Sequence, residues 1–334
     1  MNRGVPTIFV AALLGCGGSP QAPTPPPPPP PAAAQPWSVS GRVTATFAGG
    51  PISNAHVEAF ITSATSDGDG RFTLTAPAAP SGNQAITVTA AGYRPRETVI
   101  RVPRTSDLIV DLMPTAAPFS EAFFNELARD ALDSPGVEYP LFRWPSALKF
   151  YLKTMDENGR PLSADVLALV RRGIRDGVHY YTAGTYEAVI EEGSETLPER
   201  VGYVNVIPRQ VIPEGDFCGY ASSVGANPMT IQLRIDRCGC GSIKIPIDIV
   251  IHEIGHAVGM FHVSDRNSIM NATEFFNCRD MIPSALERHH AALIYARPRG
   301  NLAPDRDPGG FALALPNGPM PGAPGRRKPA PAEK

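Results

Sequence analysis

The stretch His252-Glu253-Ile254-Gly255-His256-Ala257-Val258-Gly259-Met260-Phe261-His262 decides the reading of this chain. On an α-helix, residues four apart share a face, so His252 and His256 can both present a ring nitrogen to one ion. Nitrogen donors in a tetrahedron suit zinc, and three protein ligands leave a fourth position open, which marks a catalytic rather than a structural site. The third ligand has to come from beyond the helix. Gly259 supplies the means, because glycine takes the left-handed conformation that ends a helix and turns the chain, carrying His262 toward the same ion. Glu253 falls beside a bound water rather than on the metal, the place for a general base. Upstream, Ile245 to Ile251 form an apolar approach with Pro246 near its start and Asp248 as N-cap, which predicts a helix from about Asp248 to Val258.

On these residues the sequence resembles the metzincin clan of zinc endopeptidases, and within it the matrixin-type group. The run from His252 to His262 matches the clan pattern HExxHxxGxxH at every fixed position. Ser268-Ile269-Met270 resembles the Met-turn, and by that resemblance Met270 is the structural methionine beneath the ligands. One position departs: some metzincins carry a tyrosine two residues past the methionine, where this chain has Ala272. The resemblance implies zinc as cofactor, a protein or peptide substrate, and a hydrolysis in which zinc acidifies a water whose proton Glu253 takes and hands to the departing amine.

The surrounding segment fits an α+β domain over residues 115–300. Ala147 to Thr154 alternates like a first strand, and Ser163 to Tyr181 carries leucines and valines at helical spacing, with Ser163 as N-cap and Gly184 as stop. Strand-like runs follow at Tyr186 to Ile190, Val201 to Ile207, Cys218 to Val224 and Met229 to Ile235. Ser284-Ala285-Leu286-Glu287 reads as a capping box opening a last helix that reaches Tyr295. By the resemblance, an edge strand at Gly219 to Ser223 pairs with extended substrate through backbone hydrogen bonds. Two further ligand candidates exist, Glu274 and Glu287, but Gly259 and His262 already supply the third. His289 and His290 are expected on the surface of the closing helix.

Residues 1–15 carry one positive charge and an apolar run ending Leu13-Leu14-Gly15-Cys16, which resembles a bacterial lipoprotein signal with Cys16 as the lipidated residue; a plain secretion signal is the alternative. Residues 16–35 form a proline-rich linker in which Pro25 to Pro31 adopt a stiff polyproline helix at roughly 3.1 Å per residue. Residues 36–114 alternate in six short runs between turn residues, the signature of a small antiparallel sandwich, and SGRVTATFAGGPISNAHVEA with TSDGDGRFTL resembles the carboxypeptidase regulatory-like module, a transthyretin-like fold. Asp67-Gly68-Asp69-Gly70 is expected to be a hairpin turn rather than a calcium loop, since the spacing and closing glutamate of an EF-hand are missing. Residues 301–334, rich in Pro, Gly and Ala, are expected to be a disordered tail.

The formal net charge of −2 over 334 residues implies no basic surface for nucleic acid. The expected fold is therefore multidomain, an all-β sandwich followed by an α+β zinc-protease domain, held in the cell envelope with the membrane reached through the lipid anchor alone. Cys218, Cys238, Cys240 and Cys278 are an even set suited to two disulfides outside the cytoplasm. A Cys238–Cys240 bridge is strained, so Cys218 is expected to pair with one of those two and Cys278 with the other; a four-thiolate zinc site is the competing reading. Two other classes stand against this reading: a surface adhesion lipoprotein with a non-catalytic zinc site, and a zinc protease whose third ligand is a downstream glutamate, Glu274 or Glu287.

Overall fold

The computed structural model describes residues 36–78, 82–102, 104, 106–194, 202–222, 229–236, 238, 245–272 and 281–309. Cys16, Cys240, Glu274 and Cys278 lie outside the described residues, as does the proline-rich linker.

The first part is a two-sheet sandwich of seven strands: β1 (Trp37–Ala45), β2 (His56–Ala59), β3 (Thr62–Thr65), β4 (Arg71–Ala76), β5 (Gly82–Thr89), β6 (Arg96–Val102) and β7 (Leu108–Leu112). Alternation does the work along each strand. In β4, Phe72, Leu74 and Ala76 face inward while Arg71, Thr73 and Thr75 face out. The sheets run β4-β1-β7 and β3-β2-β5-β6. The sandwich is not wholly antiparallel as expected, because β7 pairs parallel to β1. The chain reaches β7 from β6 on the other sheet, so no hairpin dictates its direction. One of the six alternating runs, Ala55 to Ile61, is not a single strand: the chain turns at Phe60 (φ 57°) and returns as β3, a turn without the glycine or asparagine that announces one. At the acidic loop, Asp67 Oδ1 accepts from the amides of Asp69 (2.9 Å) and Arg71 (2.8 Å), so the loop is a tight turn, but not the expected hairpin, because the strands it joins, β3 and β4, lie in different sheets.

The second part runs α1 (Glu121–Arg129), β8 (Lys149–Lys153), α2 (Ala164–Tyr181), β9 (Val189–Gly193), β10 (Tyr203–Arg209), β11 (Gly219–Ala221), β12 (Met229–Arg234), α3 (Ile247–Ala257) and α4 (Ala285–Tyr295). Its five-stranded sheet has the order β11-β12-β10-β8-β9, parallel throughout except for β11, which runs antiparallel along one edge. α2 starts where Ser163 caps the Val166 amide, and α4 starts with both hydrogen bonds of the Ser284/Glu287 capping box. α3 is buried on every side, with apolar residues spread around the helix rather than confined to one stripe. It packs against α2 at backbone distance: a Cβ on Gly173 would lie 2.5 Å from Val250, and one on Gly177 would lie 2.7 Å from Ile254. Asp248 does not cap α3, because the helix already begins at Ile247 behind Pro246; its carboxylate lies in the first turn, where it suits the helix dipole.

Residues 301–307 are not part of a disordered tail. Leu302 and Arg306 close a tight turn by reciprocal backbone bonds, and the chain then pairs with β6, with Glu97 N donating to Asp305 O (3.0 Å) and Asp307 N to Glu97 O (2.8 Å). Asn301, Asp305 and Asp307 are buried, held by the arginines that join the sandwich to the catalytic part. Arg297 donates to Asp305 (2.8 Å) and to Asp111 of β7 (2.7 Å), while Arg96 of β6 reaches Asp307 at 2.8 Å. Burial pushes the Asp111 carboxyl up, but Arg297 and Arg96 together bring it down to about 2.

Candidate metal centre

His252, His256 and His262 converge in the second part, buried, with one ring nitrogen from each within 4.8 Å of the others. The first two sit one turn apart on α3. The third arrives by the turn expected of Gly259, whose φ is +106° and where a Cβ would lie 2.5 Å from the carbonyl oxygen of Phe142. No other residue meets both conditions, left-handed backbone and no side chain. The end of α3 is tied down on its far side, since Trp144 Nε1 donates to Ala257 O (2.6 Å) and Tyr295 OH to Val258 O (2.9 Å).

The hydrogen bonds of the outer ring nitrogens test whether these residues suit a metal. His252 Nδ1 lies 2.6 Å from Ile269 O and His256 Nδ1 lies 2.9 Å from Met260 O. A carbonyl only accepts, so both Nδ1 atoms carry the proton, and in a neutral imidazole the Nε2 is then a bare lone pair. Yet His252 Nε2 and His256 Nε2 face each other at 3.0 Å. Two lone pairs aimed at one point satisfy each other only through a cation, and an all-imidazole donor set with an acidic residue beside it suits zinc. The residues therefore fit the metal.

Met270 lies beneath this cluster. Its sulfur occupies the space that a Cβ on Gly255 of α3 would take, with its methyl 3.2 Å from that position. The turn that carries it is pinned by Glu287. That buried carboxylate accepts from Tyr181 OH (2.6 Å) and from the amides of Ile269 (3.2 Å), Met270 (3.3 Å) and Ser284 (3.2 Å). Glu287 is thus no ligand; it holds the backbone whose Ile269 carbonyl orients His252. Burial raises its carboxyl above the ordinary range, against the pull of those donors, and burial with the neighbouring carboxylate raises the Tyr181 hydroxyl well above its own.

Glu253 faces away from the Met-turn, toward the sheet edge. The edge strand β11 comes so close that a Cβ on Gly219 would sit 2.7 Å from Glu253 Cγ and 2.8 Å from Cδ. A disulfide joins Cys218 to Cys238 and fixes the start of that strand. His290, expected on the surface, is buried: its Nε2 accepts from the Ser120 amide (2.9 Å), its Nδ1 donates to Leu286 O (2.8 Å), and Phe123 packs on its ring at 5.0 Å. α1, which the sequence reading passed over, covers that face. Sequence reasoning also missed Asp133, whose Oδ2 lies 2.6 Å from His262 Nδ1.

Comparison with known proteins agrees with this geometry. Residues 38–113 match the family model of the carboxypeptidase regulatory-like domain, and residues 203–277 match that of astacin, peptidase family M12A. Fold and site together make the second part an astacin/metzincin-like α+β domain, with a histidine triad that could hold a metal, behind a regulatory-like sandwich. The matched subgroup is the astacins, where the motif alone resembled the matrixins.

No curated protein matches the chain. Among solved structures, metalloproteinase-II from Bacteroides fragilis is 13% identical, with 75% of this chain and 84% of that one covered and a TM-score of 0.31. A cohesin–X-dockerin complex from Acetivibrio cellulolyticus is 27% identical over 22% of this chain, with a TM-score of 0.17; the chain spans 51% of that protein's length. Likenesses at these TM-scores carry no weight beside the two family matches.

Proposed function

We propose that this protein is a zinc-dependent endopeptidase that hydrolyses peptide bonds of proteins outside the cytoplasm. One observation carries the reading: three buried histidines converge on a point bordered by Glu253 and roofed by the antiparallel edge strand β11. Zinc held by His252, His256 and His262 would supply Lewis acidity, acidifying a water and polarising a carbonyl. The rest belongs to the chain. β11 offers its outer edge to an extended substrate, which binds through main-chain hydrogen bonds and therefore by shape more than by sequence. Glu253 takes the proton of the attacking water and passes it to the departing amine, so no covalent intermediate forms. The absence of a side chain at Gly219 leaves Glu253 room to work close to the bound backbone. Met270 and Glu287 keep the ligands fixed rather than take part.

The Cys218–Cys238 disulfide supports an oxidising compartment, and the signal ending at Cys16 supports a lipid anchor in the bacterial envelope. Among the described residues no helix is long and apolar enough to cross a membrane. An adhesion protein with an inert zinc site has no need of a carboxylate between the ligands and a sheet edge, which is what Glu253 is. Incubation of purified protein with a diverse peptide mixture, read by mass spectrometry, tests the reading: cleavage inside the peptides, lost on chelation and restored by zinc, is expected. Intact peptides from a zinc-loaded protein contradict it. Loss of fatty-acid labelling in Cys16→Ser tests the anchor; equal label in the variant rejects it.

A further inference from the structure

The third histidine is held from outside its own motif. His252 and His256 bond carbonyls close at hand in the chain, Ile269 O and Met260 O. His262 bonds a carboxylate, Asp133, which lies 129 residues upstream. The loop around His262 is tied to the same region by two further contacts. Phe261 N donates to Leu127 O at 2.8 Å, and the Ser264 amide and hydroxyl both donate to the Glu126 carboxylate at 2.9 Å.

The support of Asp133 is itself rigid. α1 ends at Asp130, which takes the left-handed conformation (φ 58°), and the turn that follows is closed by Ser134 N to Asp130 O and by Ser134 Oγ to Asp130 Oδ2, both at 2.9 Å. Asp133 sits inside that turn. The two ends of α1 are gripped in turn. Arg94, from the sandwich, pairs with Glu121 at 3.0 Å and lies over the rings of Phe119 and Phe124 at 5.4 Å. Arg129 donates to both Asn301 O and Asn301 Oδ1 at 3.0 Å.

We propose that Asp133 is a positioning residue of the metal centre, fixing the tautomer and tilt of His262, and that α1 makes the segment ahead of the matched catalytic sequence a working part of the site. This rests on the reading that the three histidines bind zinc. A carboxylate that accepts the Nδ1 proton keeps Nε2 as the donor atom and makes it more basic than a carbonyl partner does. Of the three ligands, His262 is the one that no helix orients, so it has the most to gain from an external hold.

The test measures zinc affinity, by competition with a chromophoric chelator, for the full chain and its Asp133→Asn and Asp133→Ala variants, beside the unfolding midpoint of each metal-free protein. Asp133→Ala should weaken zinc binding by about 100-fold, and Asp133→Asn, which keeps an oxygen acceptor but not the charge, by about 10-fold, at the two ends of the range for such partners. The metal-free midpoints should stay at the parent's. Affinity within twofold of the parent in either folded variant overturns the proposal, and so does a loss of affinity matched by an equal loss of metal-free stability, which marks a merely structural role. Should Asp133→Ala fail to fold, Asp133→Asn decides. A parent that binds zinc and cleaves no peptide defeats the proposed function while the affinity test still stands; a parent that binds no zinc defeats both.

Discussion

Two of the buried polar clusters among the described residues balance differently. At the junction of sandwich and catalytic part, donors meet acceptors: Arg297 and Arg96 bond Asp111, Asp305 and Asp307, and Asn301 Nδ2 donates to Asp305 and Asp307 at 2.9 Å. At the histidine cluster, acceptor meets acceptor, with two Nε2 lone pairs 3.0 Å apart. The first cluster pairs each of its carboxylates with donors of the chain, although Arg96 Nε is left buried without an acceptor, and the second, with both Nδ1 atoms spent on carbonyls, suits a cation. Burial and polarity alone do not mark a functional site; acceptors turned toward one another do.

If that distinction is right, the two clusters respond to different perturbations. The largest effect is expected at the junction. Arg297→Ala leaves the buried Asp305 without its charge partner and should destabilise by about 3–5 kcal/mol in denaturant unfolding, whether or not zinc is present. A loss below ~1 kcal/mol breaks the claim that the junction is a closed ionic cluster. Next comes metal. Free zinc at about a hundred times its Kd should stabilise the parent by about 2.7 kcal/mol and leave a His252→Ala/His256→Ala variant unmoved. Equal stabilisation of both would place the ion elsewhere.

Smaller still is the edge-strand contact. In Gly219→Ala the new methyl can be accommodated only by moving the Glu253 carboxylate, a displacement that is cheap for folding and harmful to catalysis. The expected outcome is a kcat at least ~10-fold lower, about 1.4 kcal/mol, with zinc content and unfolding midpoint unchanged. An unchanged kcat removes Glu253 from the edge of the cleft. The most gradual effect is acid weakening of the junction. The Asp111 carboxyl is held down to about 2, below its unfolded value, so its stabilisation is fully present above about pH 4 and is lost as pH falls through about 2. Asp111→Asn should flatten the stability slope in that window, and an unaltered slope argues against the pairing.

The parts legible in the sequence are those with short-range rules. Ligand spacing on α3, the turn at Gly259, the caps at Ser163 and Ser284 and the strand alternation each need only a few consecutive residues. What escaped is long-range. Asp133 meets His262 across 129 residues, Tyr181 meets Glu287 across 106 and Arg96 meets Asp307 across 211, separations over which a sequence pattern says nothing about distance. The Asn301 to Asp307 segment looked like tail because it offers only Leu302 and Ala303 as apolar residues and leads into a stretch rich in Pro and Gly; its order comes from buried arginines, Arg96 and Arg129 among them far away in the chain. α1 was within reach of a closer reading, since Ser120 caps it and Phe123, Phe124 and Leu127 share one face.

Metal content measured beside peptide hydrolysis, for Glu253→Gln and His262→Ala, tests the central claim most directly. Glu253 is proposed to move protons without holding the ion, so Glu253→Gln should keep about one zinc per chain and lose at least ~10²-fold in kcat. His262 is proposed to hold the ion, so His262→Ala should bind zinc far more weakly and lose activity as well. Parental cleavage by Glu253→Gln, or full zinc affinity and activity in His262→Ala, contradicts the account.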